Sequence, residues 1–323
     1  MNQPISQEPT SINSETTKAS TDINHALAGK RHKRVVPLSY QAAGLLFNLA
    51  GYCHQRWAGA QLANLWFRVF KRKPSPKAQQ FWQSAEQVHS INVNQHKVDL
   101  HLWGSGPLVV CLHGWSGSGI QFRHFVKPLV EAGYQVAAFD APGHGMHTDK
   151  HSHLLNFSDS LSAIAQQYAP VHCVLAHSFG AMATTTAQQR GFTTNNIVML
   201  APHLNVQEMF NTYAKLLNLS RGLKTSFQQQ VGEKMQHLLA GDDPWQLFTV
   251  ERLVPQTTKG LLISDDQDQE VAQHQFKQIE QRWTAANHYQ TQGLGHFKIL
   301  KDPQVIEQTV QFLVNQRKIE GEV

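Results

Sequence analysis

From residue 108 onward the chain alternates short, continuous apolar runs with stretches whose apolar residues recur three and four apart. Few folds can accept that pattern. The runs are Leu108–Leu112, Val136–Phe139, Val171–Ala176, Ile197–Leu200 and Leu261–Ile263, with a last short one near Tyr289. Each is too short for a buried helix and has no polar alternation, so it reads as a strand covered on both faces. Between the first two runs, Phe122, Phe125, Val126, Leu129 and Val130 make one helical stripe. Leu161, Ile164, Ala165 and Tyr168 make the next, and Val305, Ile306, Thr309, Val310 and Leu313 the last. Buried strands alternating with amphipathic helices predict an α/β fold with a mainly parallel sheet flanked by helices. Ahead of this region Val88, Ile91 and Val93, then Val98, Leu100 and Leu102, alternate around Asn94-Gln95 as in a β-hairpin.

One interval breaks the alternation. Residues 203–258 contain no strand-like run, while Met209, Leu216, Leu217, Leu223, Met235, Leu238 and Leu239 suggest helices. We read this interval as a helical cap inserted between two strands, so the core spans residues 88–202 and 259–318. At the other end, residues 1–30 are rich in Ser, Thr, Asn and Gln and are expected to form a disordered tail. Residues 31–87 read as N-terminal amphipathic helices. There Leu45, Leu46, Leu49, Tyr52, Leu62, Leu65, Trp66, Val69 and Phe70 keep helical spacing, and Gly51 and Gly59 are expected to divide the stretch in two. Lys30, Arg31, Lys33 and Arg34 precede it, Lys71, Arg72 and Lys73 follow, and Pro74 and Pro76 end it.

Charge is unevenly placed. Residues 1–87 hold 11 Lys and Arg against 4 Asp and Glu, whereas residues 88–323 hold 17 against 19. The basic excess therefore belongs to the N-terminal segment, which argues against a nucleic-acid binder, whose basic stripe lies on the folded face. Of the three cysteines, Cys111 and Cys173 sit inside strand-like runs and read as small buried hydrophobes rather than a disulfide. A cytoplasmic, reducing location fits that usage. No apolar run reaches the length of about 18 residues that a transmembrane helix needs, and no basic-then-apolar signal follows Met1.

The run Val171-His172-Cys173-Val174-Leu175-Ala176-His177-Ser178-Phe179-Gly180 is a strand driving into a tight turn and then an Ala-rich helix start. A sharp turn lifts Ser178 above the sheet edge, and small residues two places before and after it, Ala176 and Gly180, let strand and helix pass closely. This segment resembles the nucleophile elbow of the α/β-hydrolase superfamily, usually Gly-x-Ser-x-Gly, with Ala176 in place of the first glycine. Leu112-His113-Gly114-Trp115-Ser116-Gly117 resembles the superfamily's His-Gly loop, in a bacterial subgroup with Trp after the His-Gly pair. That resemblance implies an oxyanion hole made by the backbone N–H groups of Trp115 and Phe179. Phe139-Asp140-Ala141-Pro142-Gly143-His144-Gly145 resembles the turn after the next strand, where Asp140 and His144 read as loop organisers.

A serine hydroxyl needs a base, and the base needs a partner that fixes its tautomer. The superfamily order is Ser, acid, His. By that resemblance the acid is Asp268, five residues past Ile263, with Asp265 and Asp266 as rivals. His296, in the Gly293-Leu294-Gly295-His296 loop after the last strand, matches the base, and His177 reads as a residue packed behind the elbow. The resemblance spans residues 88–316 and implies a serine hydrolase acting on a small-molecule, ester-like substrate, without cofactor. Thioesterase, amidase or peptidase activity would use the same three residues, and a non-catalytic binding protein of this fold is the rival of another class. No dinucleotide or zinc-ligand spacing is present. The N-terminal helices carry two expectations, packing on the catalytic domain or its cap, or a peripheral membrane contact through residues 31–73.

Overall fold

A computed structural model describes residues 36–321. The tail expected over residues 1–30 and the basic group Lys30 to Arg34 lie outside the described residues. The strands are β1 (Gln87–Val93), β2 (His96–Trp103), β3 (Leu108–Leu112), β4 (Gln135–Phe139), β5 (Val171–His177), β6 (Asn196–Leu200), β7 (Lys259–Asp265) and β8 (Ala286–Thr291). They form one eight-stranded sheet in the order β1-β2-β4-β3-β5-β6-β7-β8. β2 pairs antiparallel with both β1 and β4, and every pairing from β4 to β8 is parallel. The mainly parallel sheet expected from the apolar runs is therefore present, with the β1–β2 hairpin on one edge.

The helices are α1 (Leu38–Trp66), α2 (Pro76–Gln83), α3 (Arg123–Glu131), α4 (Leu154–Tyr168), α5 (Phe179–Gln189), α6 (Val206–Leu216), α7 (Arg221–Leu238), α8 (Pro244–Leu247), α9 (Val250–Leu253), α10 (Gln273–Arg282), α11 (Gly295–Lys298) and α12 (Pro303–Glu320). Side chains alternate across each strand, so β3 feeds two cores. Leu108, Val110 and Leu112 join α4 and α5 residues such as Phe157, Leu161 and Met182 on one face. Val109 and Cys111 meet Phe125, Leu129, Val305 and Leu313, from α3 and α12, on the other. All five β3 side chains are at most 5% exposed. Burying such an aliphatic side chain contributes roughly 1.5–3 kcal/mol, which is why these runs tolerate no polar alternation.

Four helices, α6 to α9, fill the interval between β6 and β7. α1 packs along α7, and Trp66 at its end meets Phe210, Tyr213 and Phe227 from α6 and α7. The structure corrects the division expected at Gly51 and Gly59, since both lie inside α1 and the break falls at His54, with φ −142° and ψ 70°. The two glycines serve packing instead. A Cβ on Gly59 would stand 2.4 Å from Ser226 Oγ, and one on Gly51 would stand 3.3 Å from Leu223 Cδ1. Their small faces let α1 lie close on α7.

Candidate active site

Ser178 is the single residue between β5 and α5. It holds φ 52° and ψ −117°, a region that L side chains rarely adopt and that costs on the order of 1–3 kcal/mol. Three backbone bonds keep it there. Its amide donates to Leu200 O at 3.0 Å, and its carbonyl accepts from Ala181 N at 3.0 Å and His203 N at 3.2 Å. Close passage on either side requires small residues. A Cβ on Gly180 would lie 2.3 Å from Leu112 O, and one on Gly114 would lie 3.0 Å from Ser178 Cβ.

The Ser178 hydroxyl lies 2.9 Å from Nε2 of His296, and Nδ1 of the same ring lies 2.8 Å from Asp268 Oδ2. Both His296 and Asp268 are buried. Asp268 is fixed through its other oxygen, which accepts the amides of Glu270 at 2.8 Å and Val271 at 2.9 Å. Three side chains separated by up to 118 positions thus form one hydrogen-bonded chain. Because Nδ1–H must donate to the carboxylate, Nε2 is left with a lone pair toward Ser178, and the arrangement can take a proton from the hydroxyl.

The rival acids occupy other places. Asp265, at the end of β7, accepts the amides of Gly295 at 2.7 Å, Leu294 at 2.9 Å and Gln267 at 2.9 Å, and the Thr291 hydroxyl at 2.7 Å. Burial would raise its carboxyl, but these four donated bonds outweigh it and hold Asp265 below the usual carboxylate range. Asp266 Oδ1 accepts the amide of Gly293 at 3.0 Å. Asp265 and Asp266 therefore brace the loop carrying His296, a role that residue types alone did not reveal.

On the opposite side His113 locks the loop that leads to Trp115. Its Nδ1–H donates to Gly114 O at 2.8 Å, and its Nε2 accepts the Ala141 amide at 3.1 Å. Burial lowers its pKa, which suits a neutral ring that accepts at one nitrogen. Asp140 accepts the amides of Gly119 at 2.8 Å and Met146 at 2.9 Å, and His144 contacts the Pro142 carbonyl at 3.2 Å, so both organise the loops that contain them. Among the described residues no acceptor is found for the Trp115 amide. The Trp115 and Phe179 rings meet edge to face with centroids 5.3 Å apart.

Two further histidines flank His296. His177 is buried behind the elbow and donates Nε2–H to the His296 carbonyl at 3.0 Å. Burial, then the charge His296 would carry, pushes His177 well below the ordinary histidine value. The same two causes push His203 down to about 3. No sequence pattern marked His203, which becomes relevant only because β6 ends beside Ser178. Elsewhere, His96, His147 and Asp149 bring one ligand atom each within 4.8 Å of one another, so among the described residues they could hold a metal ion. None of them belongs to the Ser178–His296–Asp268 chain.

A family model described as "Serine aminopeptidase, S33" matches residues 106–284, a span that contains Ser178 and Asp268 and stops short of His296. Over 98 residues the chain is 31% identical to the AB hydrolase superfamily protein YfhM of Bacillus subtilis strain 168, covering 27% of this chain and 34% of that protein. The chain spans only 17% and 34% of the lengths of the curated relatives it matches. An esterase (EaEST) from Exiguobacterium antarcticum is similar in structure, with a TM-score of 0.52 and 15% identity over 72% of this chain and all of that one (100%). A proline iminopeptidase from Mycobacterium smegmatis is equally similar, with a TM-score of 0.53 and 14% identity over 73% of this chain and 100% of that one. At such identities these two show the fold alone.

Proposed function

Because the chain belongs to the serine aminopeptidase S33 family of α/β hydrolases, we propose that it cleaves carboxylic esters through a covalent acyl-enzyme on Ser178. The observation that carries this reading is the 2.9 Å contact of Ser178 Oγ with His296 Nε2, backed by the 2.8 Å contact of His296 with Asp268. In this mechanism Oγ attacks the acyl carbonyl while its proton passes to Nε2. Asp268 accepts the Nδ1–H bond and stabilises the imidazolium that results. The amides of Trp115 and Phe179 receive the oxyanion, Phe179 from the N-terminal turn of α5, where the helix dipole favours negative charge. The imidazolium then protonates the departing alcohol, and a water activated by the same nitrogen releases the acid.

Helices α6 to α9 are the proposed cap, and their Phe and Leu content suits an apolar acyl group. The family match and the esterase-like fold support a hydrolase, and the ester is the less demanding bond for this triad, because an alcohol leaves the tetrahedral intermediate more readily than an amine. Active-site labelling by a fluorophosphonate, followed by hydrolysis of p-nitrophenyl esters of graded chain length beside the matching anilides, tests the reading. Labelling with ester turnover supports it. Anilide turnover exceeding ester turnover would transfer the triad to amidase or peptidase chemistry, and a protein that neither labels nor turns over would be a binding protein.

A further inference from the structure

α1 is apolar on two sides, and only one of them is covered. Its small residues, Gly44, Ala58, Gly59 and Ala63, are buried with Leu62. Large residues point the other way: Leu38, Leu45, Leu46, Leu49 and Tyr52 are 60–93% exposed. At about 100° per residue, Leu38, Leu45, Leu49 and Tyr52 fall within about 60° of arc, so they form one stripe rather than scattered exposures. A soluble helix normally puts polar residues on that face. Trp57, beyond the His54 break, and Phe70 are also more than half exposed. Phe70 is tied to the oxyanion loop, since its amide donates to Ser116 Oγ at 3.4 Å.

Charge identifies what would cover this face. Residues 23–85 contain ten Lys and Arg and no Asp or Glu. Arg56 is exposed on α1 beyond the His54 break, and Arg72 and Lys73 are exposed two and three residues after Phe70. A second copy docked through the same stripe would set these like charges against each other, because a two-fold interface repeats one patch on both partners. An anionic lipid surface instead matches both properties, taking aromatic and Leu side chains into its interface and Lys and Arg at its head groups. α1 is not long and apolar enough to cross a membrane. We propose that the outer stripe of α1, together with Phe70, Arg72 and Lys73, docks this protein in the plane of an anionic phospholipid bilayer. The surface is distinct from the Ser178 site, and its loop contact at Ser116 would set that site close to the lipid.

The cysteines supply a probe. Cys53 is exposed next to Tyr52, whereas Cys111 and Cys173 are buried, so a polarity-sensitive thiol dye on the folded full chain reports on the stripe. Mixing with phosphatidylglycerol vesicles should shift its emission to the blue and co-sediment the protein, and phosphatidylcholine vesicles should do neither at the same lipid concentration. The Leu45→Gln/Leu49→Gln/Tyr52→Gln variant should bind phosphatidylglycerol tenfold or more weakly, as follows from three large apolar side chains kept in water, on the order of their burial value. The Arg72→Gln/Lys73→Gln variant should bind several-fold more weakly at low salt, and the difference should shrink at high salt. All three proteins should hydrolyse a soluble short-chain ester at the same rate. Vesicle binding without ester turnover in the wild-type protein would remove the ester reading and leave the docking surface standing. The proposal is overturned if the wild-type chain ignores anionic vesicles, if the triple variant binds them equally well, or if the lipid-free protein is a dimer that the triple variant converts to monomer.

Discussion

Asp265 Oδ1 accepts the amide of Gly295 at 2.7 Å, so an acid three positions before the one that faces His296 holds the backbone from which His296 projects. Two carboxylates of one loop thus serve a single imidazole by different routes. Asp268→Asn keeps the shape but offers no charge to the imidazolium and no longer enforces the Nδ1–H tautomer. If the proposed triad operates, the variant's kcat should fall by about 10⁴-fold, the loss typical of Ser-His-Asp enzymes, with little change in Tm. Asp265→Asn instead sets an NH₂ group against donors that need an acceptor and should cost on the order of 2–3 kcal/mol of stability. Thermal melts beside kcat at 20 °C separate the two. An Asp265→Asn enzyme that melts normally but has lost 10⁴ in kcat would reverse the assignment.

Ser178 gives a second paired test, because its hydroxyl and its backbone conformation can be altered separately. Ser178→Ala and Ser178→Gly should both lose fluorophosphonate labelling and about 10⁴-fold or more of ester turnover. Only glycine relieves φ 52°, so Ser178→Gly should be more stable than Ser178→Ala by up to about 1 kcal/mol. Chemical denaturation of the two variants reads this difference directly. Equal midpoints would mean that the turn stores no strain.

The sheet was legible because its strands are apolar on both faces, and each run from Leu108–Leu112 to Leu261–Ile263 falls inside one observed strand. Loop type and chain order point to Ser178 and His296 but leave Asp268 beside two rival acids, and only contacts across the fold show which acid faces His296. Such contacts were not legible. Nothing local distinguishes Asp265 as a brace, since its four donors arrive from both sides of the loop and from β8. The glycines of α1 were read as helix breakers because that is their intrinsic tendency, and only the closeness of α7 shows them to be spacers. His96 stands about fifty residues before His147 and Asp149, beyond any ligand spacing that a linear pattern could register.

Acid should destabilise the protein through its buried neutral histidines. His203 falls from an ordinary 6.5 to about 3 in the fold, so between those values the unfolded chain binds the proton and the folded one does not. Its contribution is complete above about pH 6.5 and is lost as the pH falls below that value. At pH 5 the loss is about 2 kcal/mol, and His177 acts in the same direction. Urea unfolding at pH 7.5 and pH 5 should show this drop in the wild-type protein and a smaller one in His203→Asn, which carries no titratable ring. An unchanged pH dependence in the variant would assign the acid sensitivity to other groups.

The contact of α1 with the α6–α7 pair makes opposite predictions for two glycines. On propensity alone, Gly→Ala within a helix stabilises by about 1 kcal/mol. At Gly44 the new Cβ would stand 1.8 Å from the Leu217 carbonyl oxygen, a backbone atom at the end of α6 that cannot swing aside. Gly44→Ala should therefore destabilise, because prying α1 away loses more packing than the helix gains. At Gly222, in the first turn of α7, the nearest atom is Gln55 Nε2 at 3.1 Å, the tip of a flexible and exposed side chain. Gly222→Ala should be neutral or stabilise by up to about 1 kcal/mol, less the bond that Gln55 Nε2 now donates to the Gly222 carbonyl at 2.8 Å if the side chain must move. Tm measured for both variants decides it. If Gly44→Ala melts at or above the wild-type temperature, α1 does not lie as closely on α6 in solution, and the stripe proposed to meet lipid would not be held facing outward.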